Sequence, residues 1–170
     1  MFKTTRRMLT VGQKLPKQSL TVIAPTGNGD FEMLKDQDSH EYFSGNKTVV
    51  VSIPGAFTPT CTANHIPSFN EKLQEFTDKG VQVVGLTVND AFVTQAFANA
   101  LNVNFPIIAD GSGTFTKELD AEVDLTAHGL GIRGRRFTML VDNDTITKVN
   151  DEGGPGYTDV SKVDTALSQI

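Results

Sequence analysis

The sequence predicts a single α/β domain in which a mixed central sheet is flanked by helices, and three features carry that expectation. Residues 48–53 (TVVVSI) are a short β-branched run between Asn46 and Pro54, the pattern of a strand covered on both faces. Helical and strand periodicities then alternate along residues 54–119. Near the end, residues 137–141 and 145–149 flank Asp142-Asn143-Asp144, a hairpin signal that closes the sheet with two antiparallel strands.

Taken in order, residues 19–23 supply an opening strand, and residues 48–53 the central one. Ile66, Phe69, Leu73 and Phe76 then recur at helical spacing and make one apolar stripe, which stops at Lys79-Gly80. Residues 82–88 (QVVGLTV) read as the next strand. Asn89-Asp90 cap a helix expected to turn Phe92, Val93, Phe97 and Leu101 inward. Residues 105–109 are a third apolar run, followed by a turn at 110–113 and a short helix at 115–119. Residues 159–170 close the chain as an amphipathic helix. A β-α-β unit, a crossover helix and β-β-α make up the element order of a thioredoxin-like fold. The competing flavodoxin-like sheet needs a parallel last strand reached through a helix, which the three-residue turn at 142–144 does not provide.

Composition restricts the partners. A net charge of −5 disfavours nucleic acid and acidic membrane, whose binding rests on a basic surface. No apolar run reaches the ~20 residues of a membrane span. Residues 1–10 (MFKTTRRMLT) are basic and free of acids, and are read as an N-terminal tail, either a targeting remnant or a disordered arm. Residues 11–170 form the one domain. The single cysteine, Cys61, excludes an internal disulfide and points to a reducing compartment, the cytoplasm, or mitochondria if the tail is a targeting remnant.

The same cysteine carries the chemistry. Thr58 is expected as N-cap and Pro59 as first helical residue, where the missing N–H would have had no helical partner. Cys61 then lies in the first turn, where free N–H groups and the helix dipole favour thiolate over thiol. Pro54 ends the strand and sends residues 55–58 away from the sheet, to shield one side of the sulfur.

Pro54, Thr58 and Cys61 stand in the spacing Pro-x-x-x-Thr-x-x-Cys, and here the sequence resembles the peroxiredoxins. Residues 65–69 (HIPSF), 88–93 (VNDAFV) and 135–137 (RRF) resemble the type II, or peroxiredoxin-5, subfamily. The resemblance implies a thiol peroxidase that reduces hydrogen peroxide and small alkyl hydroperoxides without metal or organic cofactor. It implies catalytic roles for Cys61, Thr58, Pro54 and Arg136, the arginine directly before the aromatic residue of its strand. Arg133 and Arg135 carry no such role and read as solvated. It further implies a homodimer, with residues 54–60 and 89–92 near the partner and the aromatics Phe57 and Phe92 suited to the interface. Many relatives carry a resolving cysteine after Gly-x-Thr; here Gly156-Tyr157-Thr158 is followed by Asp159, so recycling falls to glutathione with glutaredoxin, or to thioredoxin.

Other readings compete. A thioredoxin-fold redox sensor or interaction protein would carry the same thiol but oxidise slowly. Cys61 and His65, four apart on one helix, also match a cysteine–histidine hydrolase pair, although no local signature of those enzymes is present and His65 reads better as ordering nearby backbone. His40, His65 and His128 lack ligand spacing for zinc.

Overall fold

The inner strands of the computed structural model, which describes residues 9–170, are built mainly from β-branched and other apolar residues. The tail expected at residues 1–10 lies outside them as far as Met8, and Leu9 is buried. β1 (Ser19–Pro25) and β2 (Phe31–Asp38) form an antiparallel hairpin, and α1 (Ser39–Phe43) leads into β3 (Lys47–Ile53). After a loop, a π-helical turn at Cys61–His65 runs into α2 (Ile66–Glu71) and α3 (Leu73–Asp78). β4 (Val81–Thr87), α4 (Ala91–Leu101), β5 (Ile107–Ala109) and α5 (Thr114–Glu118) complete the alternating part. The short pair β6 (Glu122–Asp124) and β7 (Ile132–Gly134) precedes the hairpin of β8 (Phe137–Asp142) and β9 (Thr145–Asp151), and α6 (Val163–Leu167) ends the chain.

The main sheet has the order β2-β1-β5-β4-β3-β8-β9. This is the mixed, helix-flanked sheet of a thioredoxin-like fold. β3 lies inside it, parallel to β4 and antiparallel to β8. Its alternation fills both faces. Val49, Val51 and Ile53 face a core with Ile66, Phe69, Phe76 and Phe97, whereas Val50 joins Phe43, Phe115, Met139 and Val141 on the other side. The β8–β9 turn has Asn143 and Asp144 at φ 47° and 69°, the paired positive φ values that match a tight turn to the strand twist.

Four differences from the sequence reading have local causes. β2 (FEMLKDQD) carries charges through its second half; as an edge strand it needs only β1 as partner, so it has no apolar period. Phe92 is 77% exposed, not inward. At 3.6 residues per turn it lies about 140° round the helix from the fully buried Phe97. Thr94 and Ala98 take the inner face with Phe97. The stripe at 66–76 is interrupted at Lys72, between α2 and α3. The last helix starts only at Val163, because the backbone N–H groups of Thr158 and Ser161 donate to the Glu152 carboxylate and cannot join a helix.

Asp90 caps α4 as expected, accepting from the N–H groups of Phe92 and Val93, each at 2.9 Å. Asp90→Ala is therefore expected to destabilise the fold by about 1 kcal/mol, read as a lower urea midpoint with unchanged slope.

Candidate active site

The antiparallel register of β3 and β8 pairs Ser52 with Phe137, so the chain leaving β3 and the chain entering β8 meet at the same end of the sheet. Pro54 is buried there and Gly55 beside it. A Cβ on Gly55 would stand 3.1 Å from an Arg133 guanidinium nitrogen and 3.2 Å from the Thr58 methyl, so any larger residue here would have to push these side chains aside. Phe57 has φ 61°, a left-handed conformation disfavoured for an aromatic residue. Its ring stands edge-on to Phe97 at 5.3 Å. Asn89 Oδ1 holds the loop from outside, accepting from the Ala56 N–H at 2.9 Å and the Thr87 hydroxyl at 2.7 Å.

The loop delivers Cys61 to the start of the helix. The turn there is wound as a π-helix, with the Ile66 N–H reaching the Cys61 carbonyl. Thr58 precedes the helix but does not cap it with its side chain. Its hydroxyl donates to the Gly55 carbonyl at 2.7 Å, closing the loop, and among the described residues no hydrogen bond joins it to Sγ. The Thr58 carbonyl instead accepts from the Thr62 N–H at 3.0 Å.

Arg136 immediately precedes β8 and reaches the cysteine across 75 residues of sequence. Both terminal guanidinium nitrogens lie 3.4 Å from Sγ. Its Nε donates to the carbonyls of Pro155 and Gly156, and its face lies 5.5 Å from the Tyr157 ring centre. Cys61 is fully buried and Arg136 is 2% exposed. Among the described residues no carboxylate pairs with this guanidinium. The arrangement therefore aims fixed positive charge at one sulfur in a place closed to water, where negative charge developing beside the guanidinium is stabilised.

His65 is the member of the site whose role the residues alone did not disclose. Its Nδ1 lies 3.0 Å from Arg136 and its Nε2 lies 3.0 Å from the Ser161 carbonyl. A guanidinium only donates, so Nδ1 accepts and the proton sits on Nε2. The ring orders backbone, as its context suggested, and also fixes the arginine. The hydrolase pairing fails on this geometry, because the nitrogen nearest the site takes a hydrogen bond from Arg136 rather than one from the thiol. Burial, aided by the Arg136 charge, pushes its pKa down to about 4.

Arg135 is buried, contrary to the sequence reading, and Arg133 is half-buried. Arg135 points to the opposite side of the strand from Arg136, is 6% exposed, and forks onto Asp151 at 2.8 to 3.2 Å. Arg133 donates to the carbonyls of Leu130 and Val88 while packing on Gly55. The Asp151 and Val88 contacts were not foreseeable, since they lie 16 and 45 residues away in sequence. Among the described residues no group of histidines, cysteine and carboxylates is arranged to hold a metal ion.

With the geometry in hand, the chain can be compared with known proteins. A family model described as Redoxin matches residues 10–167. Peroxiredoxin-2B of Arabidopsis thaliana is 38% identical over 155 residues, covering 87% of this chain and 95% of the relative. Among solved structures, reduced Prx3 of Vibrio vulnificus in complex with H2O2 superposes with a TM-score of 0.84 at 36% identity, covering 95% of this chain and 96% of that one. The antioxidant protein of Plasmodium falciparum, a 1-Cys peroxiredoxin, superposes with a TM-score of 0.82 at 26% identity, covering 94% and 97%.

The buried neutral imidazole has a measurable signature. The unfolded chain binds a proton between pH 6.5 and about 4 that the folded chain refuses. The stability that this group lends is thus complete above pH 6.5 and lost as pH falls towards 4, by on the order of 3 kcal/mol. Urea unfolding across that range should show this slope in the parent protein and a shallower one in His65→Gln.

Proposed function

The chain belongs to the Redoxin family and is a thiol peroxidase, a type II peroxiredoxin with a single cysteine, and on that premise we propose that Cys61 is the attacking thiolate and Arg136 its electrostatic partner. The observation that carries this reading is the pair of guanidinium nitrogens at 3.4 Å from the buried sulfur. The thiolate attacks the distal oxygen of a hydroperoxide. The O–O bond breaks, the sulfur is oxidised by two electrons to a sulfenic acid, and the other oxygen leaves with its electron pair and gains a proton as water or an alcohol. Arg136 donates to the oxygens as charge moves onto them. The Thr58 hydroxyl exchanges its Gly55 partner for the peroxide, and Pro54 keeps water from the sulfur. Hydrogen peroxide and small alkyl hydroperoxides fit a thiol so deeply enclosed.

Position 159 is aspartate, so the sulfenic acid has no second cysteine in the chain to react with. Two external thiols complete the cycle, reducing it to thiol and water while forming their own disulfide. Glutathione with glutaredoxin, or thioredoxin, supplies them in a reducing compartment, the cytoplasm. A partner of that size meets the sulfur only when the first helical turn opens. The π-wound turn at Cys61–His65, closed by a backbone bond that spans five residues, is the point at which it does.

Cys61→Ser should abolish peroxide turnover, and Arg136→Ala should slow single-turnover oxidation of the thiol by about 10²-fold. A rate in the parent no greater than that of a free thiol, with Arg136→Ala unchanged, would favour the slow redox sensor instead.

We also propose a homodimer formed through the face that carries Phe57 and Phe92. Both rings are large and exposed, at 54% and 77%, and the loop of one is tied to the segment of the other by the Ala56–Asn89 hydrogen bond. Equilibrium sedimentation at micromolar concentration should give a dimer, and Phe92→Glu a monomer; a monomeric parent would refute the interface.

A further inference from the structure

The segment that follows β9 is organised around one carboxylate. Glu152 Oε1 accepts from the Thr158 N–H at 3.0 Å, the Ser161 N–H at 3.1 Å and the Ser161 hydroxyl at 2.7 Å. Its Oε2 accepts from the Thr158 hydroxyl at 2.7 Å. Burial pushes the Glu152 pKa up, but these bonds outweigh it and hold the group below the usual carboxylate range, so the carboxylate is charged at neutral pH.

Two routes lead from this carboxylate to the same guanidinium. The loop it closes turns three successive carbonyls onto Arg136. That of Gly154 takes the backbone N–H at 2.8 Å, and those of Pro155 and Gly156 take Nε at 3.2 and 2.9 Å. At the far end of the loop, the buried Ser161 offers its carbonyl to His65 Nε2, and His65 Nδ1 receives Arg136. The clamp is itself anchored on the arginine, since the Glu152 N–H donates to the Arg136 carbonyl at 3.0 Å. All four side-chain bonds of Glu152 go to residues 158–161 and none to the sheet or the helices.

We infer that Glu152 is a positioning residue for the peroxide step, acting through residues 154–161 and His65 to aim the Arg136 guanidinium at Cys61 Sγ. It touches neither the sulfur nor the peroxide. The segment between β9 and α6 serves here as the cradle of the arginine. A guanidinium released from that cradle would stay charged but swing through several rotamers, and a fixed donor is worth more than a mobile one when charge develops.

The inference rests on the proposed pairing of Cys61 with Arg136, and the test separates the two. Sulfenic acid formation with hydrogen peroxide is timed by rapid quench and mass spectrometry in the parent, Glu152→Ala, Arg136→Ala and the double variant, each below its melting temperature. Loss of an outer partner that orients a reacting group typically costs 10–100-fold, so Glu152→Ala is expected to slow the parent about tenfold. In the Arg136→Ala background the same change should cost less than about twofold, because the two act as one unit. Glu152→Gln, which keeps the shape and weakens the acceptor, should fall between and serves if the alanine variant does not fold. An equal loss in both backgrounds, or no loss in the presence of Arg136, overturns the inference while leaving the pairing intact. A normal rate in Arg136→Ala alone overturns the pairing, and the inference with it.

Discussion

A guanidinium buried to 2% exposure without a carboxylate partner among the described residues is the constraint on which this site depends. Removing a charge from water costs several kcal/mol unless its donors are satisfied. Here the donors go to two loop carbonyls, one imidazole nitrogen and one sulfur. Of these, the sulfur is the one that can become an anion. The protein therefore places a cation directly against the one sulfur of the chain that can ionise, and the fold holds that geometry without any bound ligand.

Holding it requires two segments that differ in kind. The approach to Cys61 is a strained loop. It depends on a glycine that admits Arg133, on an aromatic residue in a left-handed conformation, and on the Asn89 side chain that ties Ala56 to the end of β4. The approach to Arg136 is a set of backbone carbonyls gathered by Glu152. Both converge at one end of the sheet because β3 and β8 run antiparallel, so the exit of the first strand is the entrance of the second. Arg135, one residue earlier, points the other way and locks the β8–β9 pair through Asp151. Alternation along an extended chain thus separates an arginine that braces the sheet from one that faces Cys61 at adjacent positions.

On the proposed cycle the buried sulfur meets two kinds of reactant. A water-sized peroxide would react in the closed site, whereas a thiol donor would require the turn at Cys61–His65 to open. His65 stands in that turn with Nδ1 3.0 Å from Arg136, so such an opening would move both groups together.

The strands that face two cores were legible in the amino-acid order, because Val49 to Ile53 has to be apolar on both sides and the hairpin at 142–144 has to be polar and tight. The start of α4 was legible for the same local reason: Asp90 lies where its carboxylate meets the next N–H groups. Pro54, Thr58 and Cys61 could be singled out because all three lie within eight residues. What lay beyond reach was whatever depends on partners distant in the chain. An edge strand with no apolar period, the outward turn of Phe92, the burial of Arg135, the Arg133–Val88 contact, and the link from Glu152 through His65 to Arg136 all depend on partners that local periodicity does not reveal. Arg136 was placed by resemblance alone. The sequence by itself determined a lone thiol at a helix start in an α/β domain, since those are properties of neighbouring residues. Only the tertiary structure decided what surrounds that thiol, because the energy of a buried charge is set by every group the fold brings within a few ångströms of it.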